Sequence, residues 1–356
     1  MNERMQGAGN RLVFLDLSRC VALGLMVFAH VSDAMRAPLL WERFDLFHQH
    51  FRGITAPIFF VVSGWAFAVA TFPHLEAYQR WGPALQHRLT RVGVLFFWGY
   101  ALTLPWWAEG FPLALAETAM RPFLAFGVLQ CVGGALLVAH VLLFLASTVR
   151  RYLGWALVLS LATVAVAPWM EGWAQTLPLP LRGVVSPLGT SGGFPIAPHA
   201  AYFWLGSVAG GWAYTRGWSV RRIGLWAAVA GLLGLGVGSA FDQPIPASPG
   251  LFVYRLGVAA LLLALMALAS QKVKRLPAGL RIPSAHALSF YVGHMLLIWG
   301  VPFVPGLAAR IGSALSPMEC ALWTVACLVT VYGVLWGARR LRTRLAPLWE
   351  RRLVRA

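Results

Sequence analysis

Long apolar runs separated by short polar segments dominate the sequence. A helix needs about 20 apolar residues to cross the hydrocarbon core of a bilayer. Runs of this length predict ten spans, which lie near residues 12–32, 54–72, 91–108, 122–147, 152–170, 197–215, 223–241, 250–270, 286–304 and 320–338. The pattern predicts an all-α, polytopic integral membrane protein that forms a single transmembrane domain over residues 1–356.

The positions of Lys and Arg between these runs predict the orientation. Cytoplasmic loops carry an excess of positive charge, and most of the 29 Lys and Arg residues fall in alternate segments counted from the N-terminus. We therefore predict that both termini are cytoplasmic and that residues 1–11 and 339–356 are basic tails. Two long loops, 33–53 and 171–196, are then outside, where they are suited to form a lid or an acceptor-binding surface.

Composition excludes a soluble domain. Hydrophobic residues make up 59% of the 356 positions and charged residues 12%, whereas a soluble domain has about twice that share of charge. The net charge of +17 lies in short clusters between apolar runs, which is typical of topology determinants rather than of a nucleic-acid surface. We expect no metal site and no disulfide, because the cysteines lie in or beside apolar runs without metal-type spacing. They are Cys20, Cys131, Cys320 and Cys327.

The first span contains charged and titratable side chains, which are costly inside a membrane and therefore point to function. Asp16 and Arg19 are close enough in sequence to pair on one helix face. Arg19 and His30 are three helical turns apart plus about 20°, so they face the same way about 16 Å apart along the axis. Asp33 is one turn beyond His30, where it can fix the imidazole tautomer. In the simpler alternative, Asp16 and Arg19 mark the inner boundary and His30 is an interfacial polar residue.

Short motifs in the first two spans resemble a known group of membrane enzymes. Arg19 is followed by ten residues and then His30, and the stretch GITAPIFFVVSGW at 53–65 contains an FFxxSG motif. Together they resemble the transmembrane acyltransferase superfamily, which comprises the acyltransferase-3 family and relatives of the heparan-alpha-glucosaminide N-acetyltransferase catalytic domain. The motif positions in the second span are Phe59, Phe60, Ser63 and Gly64.

Later stretches extend the resemblance from residue 11 to about residue 300. HRLTRVGVLFFW carries Arg88 and Arg91 as an RxxR pair, and LSFYVGHMLLIW carries Tyr291 and His294; both are similar to the acyltransferase-3 pattern. VLQCVGGALL and GGFPIAPHAAYFWLGSVAGG look more like the N-acetyltransferase-type relatives, so both branches stay open. Cys20 departs from the pattern, because relatives usually have a small residue after the arginine.

The resemblance implies transfer of an acyl group, often acetyl, from cytoplasmic acyl-coenzyme A to an acceptor at the outer face, commonly a sugar. Arg88 and Arg91 are suited to bind the donor's phosphates, and Arg19 is suited to guide its pantetheine arm toward His30. His30 is the implied general base. A covalent acyl-imidazole on the same residue is the alternative mechanism.

Four further residues are candidates for supporting these roles. Asp33 or Asp16 would assist His30, and Ser63 and Phe60 would lie beside the donor. The Ser63 hydroxyl can donate to a thioester oxygen, although Ser and Gly in membrane helices often serve close packing instead. The sequence leaves this choice open.

Acceptor binding is assigned to residues of the later spans. His294 and Tyr291 lie one turn apart and are suited to contact the acceptor or one another. Arg255 is a further acceptor candidate, with structural pairing to Asp242 as the alternative.

The main rival function is a polytopic transporter or flippase. Arg19, His30, Arg255 and His294 would then line a polar pathway, but the sequence has no clear internal symmetry of the kind that transporters often show. A membrane sensor or scaffold is a third possibility. The expected partners are acyl-coenzyme A, a glycan or other small acceptor and the lipid bilayer, with no nucleic acid and with a homo-oligomer left open. The expected location is the bacterial cytoplasmic membrane.

Overall fold

Helices make up nearly all of the computed structural model, which describes residues 12–105, 117–187, 193–241, 248–273 and 275–353. The helices are α1 Val13–Met35, α2 Pro38–Trp41, α3 Asp45–Thr71, α4 Leu75–Tyr78, α5 Pro83–Ala101, α6 Glu117–Leu124, α7 Val128–Leu145, α8 Val149–Ala174, α9 Leu179–Val185, α10 Ile196–Thr215, α11 Val220–Ala240, α12 Pro249–Lys272, α13 Ala278–Ala285, α14 Ala287–Trp299, α15 Leu307–Ile311 and α16 Pro317–Leu353. Short 3-10 turns cover Glu42–Phe44 and Phe72–His74, and strands β1 Gly300–Val301 and β2 Val304–Pro305 form an antiparallel hairpin. The predicted all-α class is confirmed.

Seven helical segments of the described chain are long and apolar enough to cross a membrane. They are Val13–Met35, Pro38–Tyr78, Val128–Leu145, Val149–Ala174, Val220–Ala240, Pro249–Lys272 and Pro317–Arg344. These segments coincide with seven of the ten predicted spans. The chain therefore has the composition and the helices of an integral membrane protein.

The other three predicted spans fall on helices of a different character. α5 carries Arg88 and Arg91, and α10 is rich in Gly, Trp and Tyr. α14 has only 13 residues and ends at Gly300, whose φ of 91° turns the chain into the hairpin. The number of ten spans and the cytoplasmic placement of both termini therefore stay predictions.

The segment 33–53, predicted as a loop, is mostly helical, so that prediction was wrong in its secondary structure. α1 continues to Met35, and α3 already begins at Asp45. Pro38 in the first turn of α2 and the acidic Asp45 in the first turn of α3 both favour helix starts. The other predicted loop, 171–196, contains the end of α8 and all of α9.

The chain folds as two compact units. The first comprises residues 1–18 and 52–274, and the second comprises residues 19–51 and 275–356. In the first unit, α11 packs on α12, α8 on α10 and α5 on α7. The boundaries at residues 18 and 51 fall inside continuous helices, α1 and α3. The single transmembrane domain stays a prediction.

α3 and α10 pack closely in the first unit. A Cβ atom on Gly64 would collide with the carbonyl oxygen of Phe203, and one on Gly206 would collide with that of Val61. Two helix backbones therefore touch at these positions, as small residues allow in membrane helices. Trp204 is buried beside this contact and donates from Nε1 to the carbonyl of Ala135, at 3.0 Å.

The core of the second unit fixes the C-terminal half of α1. The buried apolar side chains of this core are Val27, Val31, Met35, Trp41, Ile298, Leu315, Cys320 and Cys327. Trp41 Nε1 donates to the Leu315 carbonyl at 3.0 Å, and Arg36 Nη1 donates to Asp45 Oδ1 at 3.0 Å. These contacts hold the end of α1, the start of α3 and the segment before α16 in one body.

Candidate functional site

The second unit brings His30 of α1 together with His294 and Tyr291 of α14. The ring centroids of His30 and His294 are 5.3 Å apart with the planes tilted by 34°, and those of His30 and Tyr291 are 6.1 Å apart and near perpendicular. Tyr291 and His294 also touch, at 5.4 Å. The imidazole of His30 from the first predicted span and the side chains of Tyr291 and His294 from the ninth therefore form one cluster.

The tautomer of His294 follows from its backbone contact. Nδ1 lies 2.7 Å from the carbonyl oxygen of Phe290, one turn earlier on α14. Because a carbonyl only accepts, Nδ1 carries the proton of the neutral ring and Nε2 carries the lone pair. The side chain is 1% exposed, and Nε2 has no hydrogen-bond partner among the described residues. A buried lone pair of this kind is suited to accept a proton from a bound substrate.

A second polar group in the same unit surrounds Asp33. The Asp33 carboxylate oxygen Oδ1 is 3.4 Å from Nε2 of His48 on α3, and the same nitrogen is 3.0 Å from the Ser32 hydroxyl. The His48 ring is 1% exposed and packs on Trp41 with centroids 5.1 Å apart. In the sequence, the signal for His48 is only its place beside His50 in the segment 33–53.

The N-terminal part of α1 carries the remaining candidates of that helix. Asp16 is 3% exposed, and Arg19, one turn further, is partly buried. α1 is continuous from Val13 to Met35, so Arg19 and His30 lie on one helix face about 16 Å apart. The role of this pair in guiding a donor arm stays a prediction.

The predicted donor-binding arginines lie on α5 in the first unit. The Arg88 guanidinium lies over the Tyr78 ring, 5.2 Å from its centroid, and its Nη2 donates to the phenol oxygen at 3.4 Å. Arg91, one turn further, is exposed. Arg88 is therefore held by an aromatic ring while most of its donor hydrogens stay available for an anion.

The FFxxSG motif lies inside α3, in the first unit. Phe60 is fully buried, and Ser63 is partly buried beside Gly64. Because Gly64 touches the backbone of α10, close packing accounts for the glycine of the motif. The contact of Phe60 and Ser63 with a donor stays a prediction.

Arg255 of α12 lies in the first unit, against the backbone of Gly53. A Cβ atom on Gly53 would be 2.6 Å from Arg255 Nη2. The neighbouring Tyr202 donates from its hydroxyl to the Phe252 carbonyl at 3.3 Å, and its ring stacks on Phe252 with centroids 4.1 Å apart. Asp242, the partner considered from the sequence, lies outside the described residues.

Metal coordination has no candidate group in the part of the chain that the structure describes. There, no three His, Cys, Asp or Glu side chains are placed to hold an ion. The His, Asp and Tyr side chains of the described site are capable of acid–base chemistry, and the Arg side chains are capable of binding anions.

The chain belongs to the heparan-alpha-glucosaminide N-acetyltransferase, catalytic, family, whose model matches residues 11–240. No curated protein matches the sequence. Of the two branches that the sequence left open, the match supports the N-acetyltransferase type, and it favours an enzyme over a transporter. It includes His30, Asp33 and His48 and ends before Tyr291 and His294.

Proposed function

We propose that this N-acetyltransferase-like membrane enzyme transfers an acyl group from cytoplasmic acyl-coenzyme A to a hydroxyl or amine of a glycan. The proposed acyl group is acetyl. The glycan lies on the other side of a bacterial cytoplasmic membrane. The observation that carries the proposal is the buried Nε2 of His294 beside His30, because the acceptor must lose a proton as it attacks. The match of the family model to residues 11–240 supports the class of reaction.

The proposed reaction begins when the acceptor oxygen or nitrogen attacks the thioester carbonyl carbon. A C–O or C–N bond forms, the C–S bond breaks, and the electron pair leaves with the sulfur of coenzyme A. The acceptor proton passes to the imidazole pair His30 and His294 and then to the thiolate, which departs as the thiol. The carboxylate of Asp33, one turn from His30, favours the transient imidazolium. Asp16 is the proposed counter-charge of Arg19.

An acyl-imidazole is the alternative to base catalysis, and rapid mixing separates the two. Without an acceptor, an imidazole nucleophile takes the acyl group from acetyl-coenzyme A and releases one equivalent of thiol per enzyme in a burst. A general base releases no thiol until the acceptor is added. We expect no burst, because the His30 ring packs against His294 and Tyr291 and the buried lone pair of His294 is suited to take up a proton.

The transfer itself is tested with purified protein in lipid nanodiscs and radiolabelled acetyl-coenzyme A. Amino sugars and hydroxyl sugars of increasing length serve as acceptors, and transferred label is counted after separation. His74→Gln is the matched control, because His74 is exposed and lies outside the proposed site. Failure of the wild-type protein both to bind the donor and to label any acceptor would contradict the proposal.

Neutralising the donor-binding arginines is expected to weaken donor binding. Arg88→Gln with Arg91→Gln should raise KM for acetyl-coenzyme A about tenfold or more, as loss of hydrogen bonds to charged phosphates does. The rate at saturating donor should change by less than about threefold, since these groups do not touch the reacting atoms. Initial rates at varied donor concentration measure both values. A lower saturated rate with unchanged KM would argue against phosphate binding at α5.

Acceptor binding is assigned to Arg255, Tyr291 and His294. The guanidinium of Arg255 is suited to an acidic sugar, because its fork matches a carboxylate in geometry. Ser63 and Phe60 keep the proposed role of contacting the donor thioester.

A further inference from the structure

Gln130 is a buried glutamine in the first turn of a membrane-length helix. It is the third residue of α7 and is 1% exposed. Its side-chain nitrogen Nε2 has no hydrogen-bond partner among the residues that the structure describes. Because α7 is long and apolar enough to cross a membrane, two N–H groups without an acceptor are costly there. A bound molecule that supplies an acceptor would satisfy them.

Two glycines make room for the carboxamide of Gln130. A Cβ atom on Gly99 of α5 would lie 2.5 Å from the carboxamide carbon. A Cβ atom on Gly127, the N-cap residue of α7, would lie 2.8 Å from Oε1. A larger residue at either position would therefore displace the group. Since α5 packs on α7 in the first unit, the carboxamide lies between these two helices.

The start of α7 determines which way the carboxamide points. The first N–H groups of a helix have no partner inside it and carry a partial positive charge, and no side chain caps α7 at Gly127. Oε1 of Gln130 is the carboxamide atom next to Gly127, whereas Nε2 lies 3.9 Å from the Cβ position of that glycine. The oxygen thus lies at the positive helix end, and both N–H groups of Nε2 are left to donate to a bound molecule.

The surroundings of Gln130 favour a neutral acceptor over an anion. Gly133 and Gly134 lie one turn further on the same face of α7, and their Cβ positions are within 3.5 Å of the Phe96 and Phe126 rings, respectively. Burying a carboxylate or phosphate beside apolar rings costs far more than burying a neutral amide. The carbonyl oxygen of an amide is neutral and has two lone pairs, so it matches what Nε2 offers.

We propose that Gln130 binds the carbonyl oxygen of a secondary amide of a substrate through the N–H groups of Nε2. The identity of the ligand rests on the proposed function, which supplies two molecules with such a group. Acyl-coenzyme A has two secondary amides in its pantetheine arm, and an N-acetylated glycan has one on each acetamido sugar. Gln130 holds the substrate in this assignment and takes no part in making or breaking bonds.

The melting temperature in detergent tests whether Gln130 serves a ligand or the fold. Gln130→Met keeps the length of the side chain and removes both N–H groups, so without ligand it should melt within about 2 °C of wild type or above it. Gln79→Met is the matched control at the other end of α7, where Nε2 of Gln79 donates to the carbonyls of Leu143 and Ala146. It should melt about 3 °C or more below wild type. An equal loss in Gln130→Met would show that a trapped water holds the carboxamide, and would overturn the proposal.

Calorimetric binding to protein in nanodiscs identifies the ligand. If the pantetheine arm is bound, Gln130→Met should raise Kd for acetyl-coenzyme A about fivefold or more and leave Kd for an N-acetylglucosamine disaccharide unchanged. If the glycan is bound, the disaccharide should lose affinity instead. Gly99→Ala pushes the carboxamide aside and should weaken the same ligand, whereas Gln79→Met should keep both Kd values within about twofold.

The same titrations separate this site from the proposed function. Unchanged Kd values for both ligands in Gln130→Met would overturn the site. No binding of either ligand by the wild-type protein would contradict the site and the proposed function together. Weaker binding of one ligand in Gln130→Met, with no transfer of label by the wild-type protein, would contradict the proposed function alone and leave the site standing.

Discussion

His294→Asn is expected to lower kcat of acyl transfer by about a hundredfold to ten-thousandfold, the range measured for loss of an acid–base group. The asparagine amide can still donate to the Phe290 carbonyl, as Nδ1 of the imidazole does at 2.7 Å, but it offers nothing at the position of Nε2. The backbone contact is thus kept while the buried lone pair is removed. Initial rates at saturating donor and acceptor in nanodiscs measure the effect.

His140→Asn is the matched control for this prediction. His140 also donates from Nδ1 to a carbonyl one turn earlier, that of Leu136, at 2.7 Å. It is 3% exposed, and its Nε2 likewise has no partner among the described residues. Its neighbours are the rings of Phe67 and Tyr78 in the first unit, so its loss should leave kcat within about threefold of wild type. Equal loss in the two variants would show that removing a buried imidazole anywhere disables the protein, and would contradict the assignment of His294.

Helical periodicity made part of the candidate site predictable. The placement of Arg19 and His30 on one face needs only a continuous helix, and α1 is continuous over both. The order of Tyr291 and His294 within a late apolar helix was equally visible in the sequence. The approach of α14 to α1 is a tertiary contact, which a single sequence does not encode in any local pattern.

The burial of His48 could not be predicted from its surroundings in the sequence. Segment 33–53 has several polar residues and two histidines close together, so composition favoured a loop. The burial of His48 depends on Trp41, which is in turn held by Leu315 far along the chain. The local sequence pattern predicts which residues share a helix face. It does not predict which polar side chain a distant segment of the chain will bury.

The sequence predicts ten spans, but only seven described helical segments are long and apolar enough to cross a membrane. For α14, the difference has a local cause. The apolar run at 286–304 contains Gly300 and Pro302, and the glycine adopts a positive φ that begins a hairpin. Glycine and proline together indicate a turn, and a prediction of spans from hydropathy alone does not detect that turn. At α5 the cause is charge instead, because Arg88 and Arg91 lie inside the helix and leave a shorter apolar stretch.

Gly64→Val is expected to lower the melting temperature of the protein in detergent by about 10 °C or more, since overpacking a tight contact costs roughly 1–3 kcal/mol and backbone collisions cost more. The new Cβ would collide with the Phe203 carbonyl oxygen and lie 2.9 Å from the Ser207 nitrogen, so α3 and α10 must separate. Gly93→Val on α5 is the matched control, because a Cβ there has nothing within 4 Å, and it should change the melting temperature by less than about 3 °C. If Gly64→Val melts like the control yet binds acetyl-coenzyme A more weakly, the glycine of the FFxxSG motif serves donor binding and not helix packing.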